Sequence, residues 1–561
     1  MKKMNLLTVL NQCGLLPVCS GREMLANLKR NWYFPISTIS FFCLTWGYSF
    51  GYYFNIAILL FLACFFASQR KSIWSFVRHQ PICDMVISIA SSIGILLVNH
   101  EYFCERLNKF VFKYGLRIEF QNFCLFLGYI AFLTSILFLY VCIISFWKEI
   151  KKILREQKWI SEIRGFEWTI YVIILIAFLA VMIIVFVQTD AFYGTKFDFD
   201  VIYTSDSPNL VKTDVYLSLM HTENDLRQPL FAVFAAPFLG IPSLLGQLFG
   251  AYPAVNAIAM NAVQVLMLFA ANLMLVKMLG LSPRNRICFM ILTCCSYTLP
   301  LFVLMMEQYI VAYFWLMLCM YQICEKQYGS RLPLWGAGGT LLTSIVLLPF
   351  CSDKHPIRQF RQWFWEMVLF CVEFGLVLAA FCRLDVIFNL VAQVDFLGTF
   401  TGEALTMGEK ILQYLSFVSG CFAAPEAAVK VFEDGFASWQ LVPVTEISGV
   451  GIAILVLCAV SAVWNREKRS SHLAVVWILL SLVMLVGMGW GTIENGLILY
   501  ALYFGWAFLT LLFQLAEKIE NSLKLRCLVP VCTAAAAAVM LAVNLPAIRE
   551  MVGFALSYYP I

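Results

Sequence analysis

Trp168–Val187 reads WTIYVIILIAFLAVMIIVFV, a run without a single charged residue. A helix rises 1.5 Å per residue, so this run is about 30 Å long, the thickness of the hydrocarbon core of a bilayer. A basic stretch precedes it, with Lys148, Lys151, Lys152, Arg155, Lys158 and Arg164. Gln188-Thr189-Asp190 follows at once. Basic residues before an apolar run and acidic ones after it mark a membrane span entering from the cytoplasm.

The rest of the chain has the same character. Of 561 residues, 61% are hydrophobic and 13% charged, against roughly 25% charged in a soluble protein. Mean hydropathy is +0.81. Aromatic residues make up 16%, which suits many membrane–water interfaces. The net charge of +5 is small for this length, and no basic stretch lies outside short loops, so no nucleic-acid partner is expected. The 20 cysteines include Cys64, Cys142, Cys294, Cys295 and Cys458 inside apolar runs, where Cys packs as a small hydrophobe. Met1 to Arg30 carries no cleavable signal pattern.

Apolar runs recur outward from Trp168–Val187. Before it lie Tyr33 to Ala67, long enough for two spans, then Ile82 to Val98 and Phe120 to Phe146. After it come Leu230 to Leu248, Val255 to Val276, Ile287 to Met305, Tyr309 to Ile323, Leu332 to Phe350 and Met367 to Phe381. Ile447 to Trp464, Leu473 to Trp490, Leu497 to Leu515 and Cys527 to Val543 complete the series. The expected fold is an all-α polytopic membrane protein with roughly 13–15 transmembrane helices. An N-terminal membrane section, 1–165, precedes a core, 166–561. Basic loops at Arg70 to Arg78, Lys148 to Arg164, Arg358 to Arg361, Arg466 to Arg469 and Lys518 to Arg526 are placed in the cytoplasm. Strict alternation then puts two large loops outside, 188–229 and 385–446, together with the C-terminus. It also puts Lys277 to Arg286 and Glu325 to Arg331 outside, although both are basic; a re-entrant segment between Leu230 and Phe350 is the other way to place them.

The first outer loop carries Asp190, Asp198, Asp200, Asp206, Asp214, Glu223 and Asp225. That is 7 acids in 42 residues against 34 in 561, an enrichment of nearly threefold. Phe192, Tyr193, Phe197, Phe199, Tyr203 and Tyr216 accompany them, which suggests a loop folded back onto the bilayer surface. Carboxylates held there are partly desolvated and more basic, and can take a proton from a hydroxyl nucleophile. The loop closes on His221, Arg227, Gln228 and Pro229. Pro suits the first turn of the next helix, and Arg227 can fork onto a lipid phosphate. Glu307 lies between two apolar runs, where a charge is either a helix-end cap or part of a polar cavity. Asn256, Asn261, Gln264 and Asn272 dot one span and read as interhelical glue. In the second loop, 402–417 has an amphipathic pattern suited to the membrane surface. Phosphate-loop, HExxH and GxSxG motifs are absent, and the five histidines are scattered, so no metal site is assigned.

With an acidic loop directly after a span and Gln228-Pro229-Leu230-Phe231 at its end, the chain resembles the GT-C class of integral membrane glycosyltransferases from about Glu167 to Ile561. Phe199 to Pro237 also resembles a group of bacterial proteins with an Asp-x-Pro loop and a His-Pro-Leu-Phe end. The resemblance implies a GT-C-like core, and a sugar moved from a polyprenyl-phosphate donor to an extracytoplasmic lipid, glycan or protein acceptor, with inversion. It implies a loop carboxylate as general base: Asp206, in Ser-Asp-Ser-Pro, or Asp190, nearest the first span. Asp214, His221, Arg227, Gln228 and Glu307 are the candidate substrate-binding residues, with Arg227 steadying the departing lipid phosphate. Gln228 stands where the family has His, so any role of that imidazole toward metal or phosphate is filled differently here. No cofactor is assigned; the resemblance leaves room for a divalent metal. A bacterial plasma membrane is the expected location. Two other classes compete: a surface-polysaccharide polymerase, and a transporter or flippase, which would place charges and helix breaks at mid-membrane.

Overall fold

The computed structural model describes residues 162–193, 201–203, 226–248, 253–326, 331–352, 358–380, 401–402, 405–432, 435–492, 496–525 and 527–561, with isolated positions between 81 and 160 and at 386 and 398. Helix α1 (Gly165–Gln188) is followed by α2 (Phe231–Leu248), α3 (Pro253–Met278), α4 (Pro283–Cys295), α5 (Thr298–Leu304) and α6 (Gln308–Lys326). Next come α7 (Arg331–Thr340), a 3₁₀ helix over Leu342–Phe350, α8 (Phe360–Ala380) and α9 (Met407–Gly420). An antiparallel hairpin of β1 (Ala427–Val431) and β2 (Ala437–Leu441) precedes α10 (Gly449–Trp464) and α11 (Arg469–Ser481). A π turn over Leu482–Gly487 extends α11, a 3₁₀ turn over Gly496–Tyr500 opens α12 (Ala501–Leu523), and α13 (Leu528–Tyr558) closes the chain.

The apolar residues of α1 face all directions, and Ile173, Ile176, Ile184 and Val187 are exposed. Val531, Val539 and Leu545 of α13 are exposed likewise. Helices apolar all round need an apolar solvent. By contrast α12 is enclosed: Ala501 to Leu511 are all buried. Five helices among the described residues are long and apolar enough to cross a bilayer: 165–188, 254–278, 469–487, 497–523 and 528–558. The pair α4–α5, bent by 61°, makes a sixth if taken as one span. The protein is therefore a helical, multi-pass integral membrane protein. The runs Tyr33 to Ala67, Ile82 to Val98 and Phe120 to Phe146 lie outside the described residues, apart from isolated positions.

Ion pairs gather at one end of the bundle. The buried Glu167 carboxylate takes a forked pair of bonds from Arg286, 2.8 Å from Nε and 2.6 Å from Nη2. Lys277 pairs with Glu162, Arg284 with Glu520, and Lys468 with Glu517 at 3.1 Å. Arg469 donates to the Phe350 carbonyl at 2.7 Å. The opposite end joins other segments. Thr189 Oγ1 donates to the Tyr559 carbonyl at 2.6 Å. The Tyr203 N–H donates to the Trp439 carbonyl at 2.9 Å, and the Tyr203 and Tyr297 hydroxyls meet at 2.7 Å.

This geometry corrects strict alternation. Lys277 to Arg286 sits beside Glu162 and Glu167, at the same end as the start of α1, not across the membrane from it. The physical reason lies in α2. It carries Pro237 and Pro242, each removing a helical donor, and its apolar stretch, Phe231–Gly240, is too short to cross a bilayer. Since α1 ends and α3 begins at the same end, α2 adds no full crossing. The expected span Leu332 to Phe350 is also broken, into α7 and a 3₁₀ helix that returns to Arg469. Lys277 to Arg286 thereby falls on the side that the charge rule assigns it.

Breaks inside a bilayer leave backbone groups that lipid cannot satisfy, and here named side chains satisfy them. Asn544 Nδ2 donates to the Cys295 and Phe422 carbonyls, both at 2.8 Å, and its Oδ1 accepts from the Ala424 N–H at 2.7 Å. Asn261 Nδ2 donates to the Val303 carbonyl at 2.9 Å. Away from the breaks, Asn272 of α3 accepts from the Tyr313 hydroxyl of α6 at 3.0 Å and joins two intact helices.

Two predictions follow from the ion-pair end. In a background with accessible cysteines replaced, Ser282→Cys and Arg164→Cys react with an impermeant maleimide from the same face, and Glu446→Cys from the other; Ser282→Cys reacting with Glu446→Cys would contradict the arrangement. Arg286→Ala strands the Glu167 carboxylate and costs about 3–5 kcal/mol of stability, read as a lower melting temperature in detergent. The double change Glu167→Met with Arg286→Met recovers most of that loss.

Candidate functional site

The chain re-enters the bundle at Leu226–Leu230. Its backbone is tied to the break after α7: the Leu342 N–H donates to the Arg227 carbonyl at 2.9 Å, and the Leu230 N–H to the Gly339 carbonyl at 2.8 Å. Gly339 is required for this approach, since a Cβ there would lie 2.8 Å from the Leu230 Cβ. Helix α2 begins at Phe231, two residues beyond Pro229.

Arg227 and Gln228 thereby line a cavity of about 340 Å³, within the range of small-molecule sites. Its walls are largely apolar, with Leu341, Leu342, Met484, Leu485, Met488 and Phe504. Gln308, Tyr309, Trp490, Tyr500 and Tyr503 supply the polar and aromatic part. The Arg227 guanidinium lies 5.7 Å from the centroid of the Trp490 ring, a cation–π contact that holds the charge in place.

Trp490 is itself fixed. Its indole Nε1 donates to the Tyr500 hydroxyl at 2.7 Å, and its backbone N–H to the Met484 carbonyl at 3.0 Å. The flanking Gly489 and Gly491 have φ of 69° and 70°, a conformation that side chains with a Cβ resist. A Cβ at Gly491 would also meet the Tyr500 ring at 2.7 Å. The preceding π turn closes with the Met488 N–H donating to the Val483 carbonyl at 2.9 Å. Such π turns are frequent at functional sites, and this one lends Met484, Leu485 and Met488 to the cavity wall.

Glu307 is fully buried in the break between α5 and α6. Its peptide is clamped by Gln264, whose Oε1 accepts from the Glu307 N–H at 3.1 Å and whose Nε2 donates to the Glu307 carbonyl at 3.0 Å. The next two residues, Gln308 and Tyr309, line the cavity. Tyr503 lines the same cavity, as do Arg227 and Gln228.

Arg227 and Gln228 thus line one cavity, Glu307 lies behind its wall next to Gln308, and Asp190 lies elsewhere. Asp190 follows Thr189, which bridges to Pro560, and its carbonyl accepts from the Tyr193 N–H at 3.1 Å. Burial, and then the charge of Asp190, push the Tyr193 phenol up to about 12. Asp190 is not among the residues lining the cavity. Asp206, Asp214 and His221 lie outside the described residues. Trp490, Tyr500, Tyr503 and Gln308 were not singled out from sequence. The one available signal was Gly489-Trp490-Gly491 directly after an apolar run. No three His, Cys, Asp or Glu side chains converge among the described residues.

No protein-family model, curated protein or solved structure matches the chain.

Gly491→Ala tests the Trp490 turn. It forces the Tyr500 ring away, loosens the Trp490–Tyr500 bond, and costs about 1–3 kcal/mol of stability. Gly553→Ala in α13, where a Cβ meets nothing within 4 Å, is the control. It leaves the melting temperature unchanged or raises it, since Ala favours a helix over Gly by about 1 kcal/mol.

Proposed function

We propose that this protein is a membrane glycosyltransferase that moves a sugar from a polyprenyl-phosphate donor to an extracytoplasmic acceptor. The observation that carries the reading is the pairing of an apolar cavity with a fixed cation, Arg227 over Trp490, in a bundle immersed in lipid. An isoprenoid tail suits walls of Leu, Met and Phe, and a phosphate suits a guanidinium, which forms strong charge-assisted bonds to it. In the proposed reaction a carboxylate, Asp206 or Asp190, takes the proton of the acceptor hydroxyl. That oxygen attacks the anomeric carbon with inversion, and the bond to the lipid phosphate breaks. Arg227 steadies the phosphate as it leaves. A bacterial plasma membrane, and a lipid, glycan or protein acceptor, belong to the same proposal.

One observation favours a second reading, a transporter or flippase. Glu307 lies in the break between α5 and α6, and Arg227 is tied to the break after α7, and transporters build their sites from such breaks.

The test is transfer of radiolabelled sugar from a panel of polyprenyl-phosphate sugars by purified protein in detergent. Wild type consumes one donor. Loss by about 10²–10⁴-fold in Asp206→Asn or in Asp190→Asn identifies the base. Arg227→Ala weakens binding of the donor by about 10- to 100-fold, the loss of one bond to a charged group. A wild type that consumes no donor in the panel, yet moves the lipid across liposomes, would replace the transferase reading with the transporter one.

A further inference from the structure

The Tyr503 hydroxyl is a buried donor and acceptor whose use the fold itself does not explain. Tyr503 is 2% exposed. Its hydroxyl has no hydrogen-bond partner among the described residues, and Gln228 lies beside it without completing hydrogen-bonding geometry. The residue is otherwise firmly held. Its carbonyl accepts from the Trp477 indole Nε1 at 2.5 Å, and its ring packs edge-on against Tyr309 with centroids 5.1 Å apart. A buried polar group left without a partner is unfavourable in a folded protein and calls for an explanation. A phenylalanine would fill the same space without that cost.

The surroundings say what could satisfy it. Tyr503 lines the cavity, as do the amides of Gln228 and Gln308. Arg227 lines the same cavity, and Glu307 immediately precedes Gln308. A phosphate group needs donors alone. A polyhydroxyl compound both donates and accepts, and so matches a mixed set of phenol and amides. The rings of Tyr309 and Tyr500 stand 5.9 Å apart at the same place, offering aromatic surface to the C–H face of a sugar ring.

We propose that Tyr503 reads a hydroxyl of the sugar carried by the lipid, separately from the phosphate, which falls to Arg227. This rests on the polyprenyl-phosphate-sugar reading of the cavity and adds to it the residue that distinguishes a sugar-bearing lipid from the bare one.

The experiment compares wild type, Tyr503→Phe and Tyr500→Phe, each as the full chain in detergent. Melting temperature is measured without ligand. Dissociation constants are measured for undecaprenyl phosphate and for a panel of undecaprenyl-phosphate hexoses. Tyr503→Phe keeps or raises the melting temperature, weakens the preferred sugar-bearing lipid by about 10-fold or more, and leaves the bare lipid phosphate unchanged. Tyr500→Phe, which removes the acceptor of the Trp490 indole, lowers the melting temperature and shows that the assay detects a lost structural bond. The inference is overturned if Tyr503→Phe lowers the melting temperature as Tyr500→Phe does, if it weakens both lipids equally, or if wild type does not prefer any sugar-bearing lipid to the bare one. The transferase reading fails on a different result, a wild type that binds the sugar-bearing lipid and transfers nothing.

Discussion

A peptide group inside a bilayer has no water to turn to, and this chain breaks its helices there repeatedly. Each such break needs an internal partner, and the placement of those partners organises the bundle. Gln264 of α3 clamps both sides of the Glu307 peptide between α5 and α6. Asn544 of α13 gathers Cys295, Phe422 and Ala424, tying the end of α4 to the turn after α9. The Arg227 and Leu230 backbones answer the break after α7. Without these amides the breaks would carry unmet polar groups costing several kcal/mol each, by the usual transfer estimates.

The same breaks make a functional site available. Continuous helices would bury only side chains against side chains. Interrupted ones end in the middle of the bundle and present Arg227, Glu307 and Gln308 there. A charge in that position is expensive, so its supports matter: a tryptophan face beneath the guanidinium, and the single amide of Gln264 bonded to both the N–H and the carbonyl of Glu307. The Trp490 turn depends on two left-handed glycines and an extra residue in the π turn before it. The polar end of the cavity is thus prearranged by backbone geometry and does not depend on flexible side chains finding each other.

Much of the helix content was legible in the sequence, because apolar length alone specifies a span. Trp168–Val187 falls within α1, and Val255 to Val276 within α3. The direction of the chain was less legible. Strict alternation assumes that every apolar run crosses, and nothing in hydropathy distinguishes a crossing from a run that turns back. Pro237, Pro242 and the glycines of α7 carried that information as backbone constraints. The basic residues of 277–286 carried it as charge, and the charge was the better guide. Of the four residues read as glue, Asn261, Gln264 and Asn272 bond to neighbouring segments, whereas the Asn256 Oδ1 has no hydrogen-bond partner among the described residues. Arg227, Gln228 and Glu307 were visible as polar residues at the edges of apolar runs. Tyr503 was not, because a tyrosine in a span looks like any other aromatic until its hydroxyl is seen to lack a partner.

If the cavity holds a polyprenyl phosphate with its head at Arg227, an electron cryomicroscopy map of the protein in nanodiscs loaded with undecaprenyl phosphate will show density for the phosphate against the Arg227 guanidinium, beside Trp490, with the isoprenoid chain running past Met484 and Met488. A headgroup bound elsewhere, or a cavity holding the same density with and without the added lipid, would rule that binding mode out.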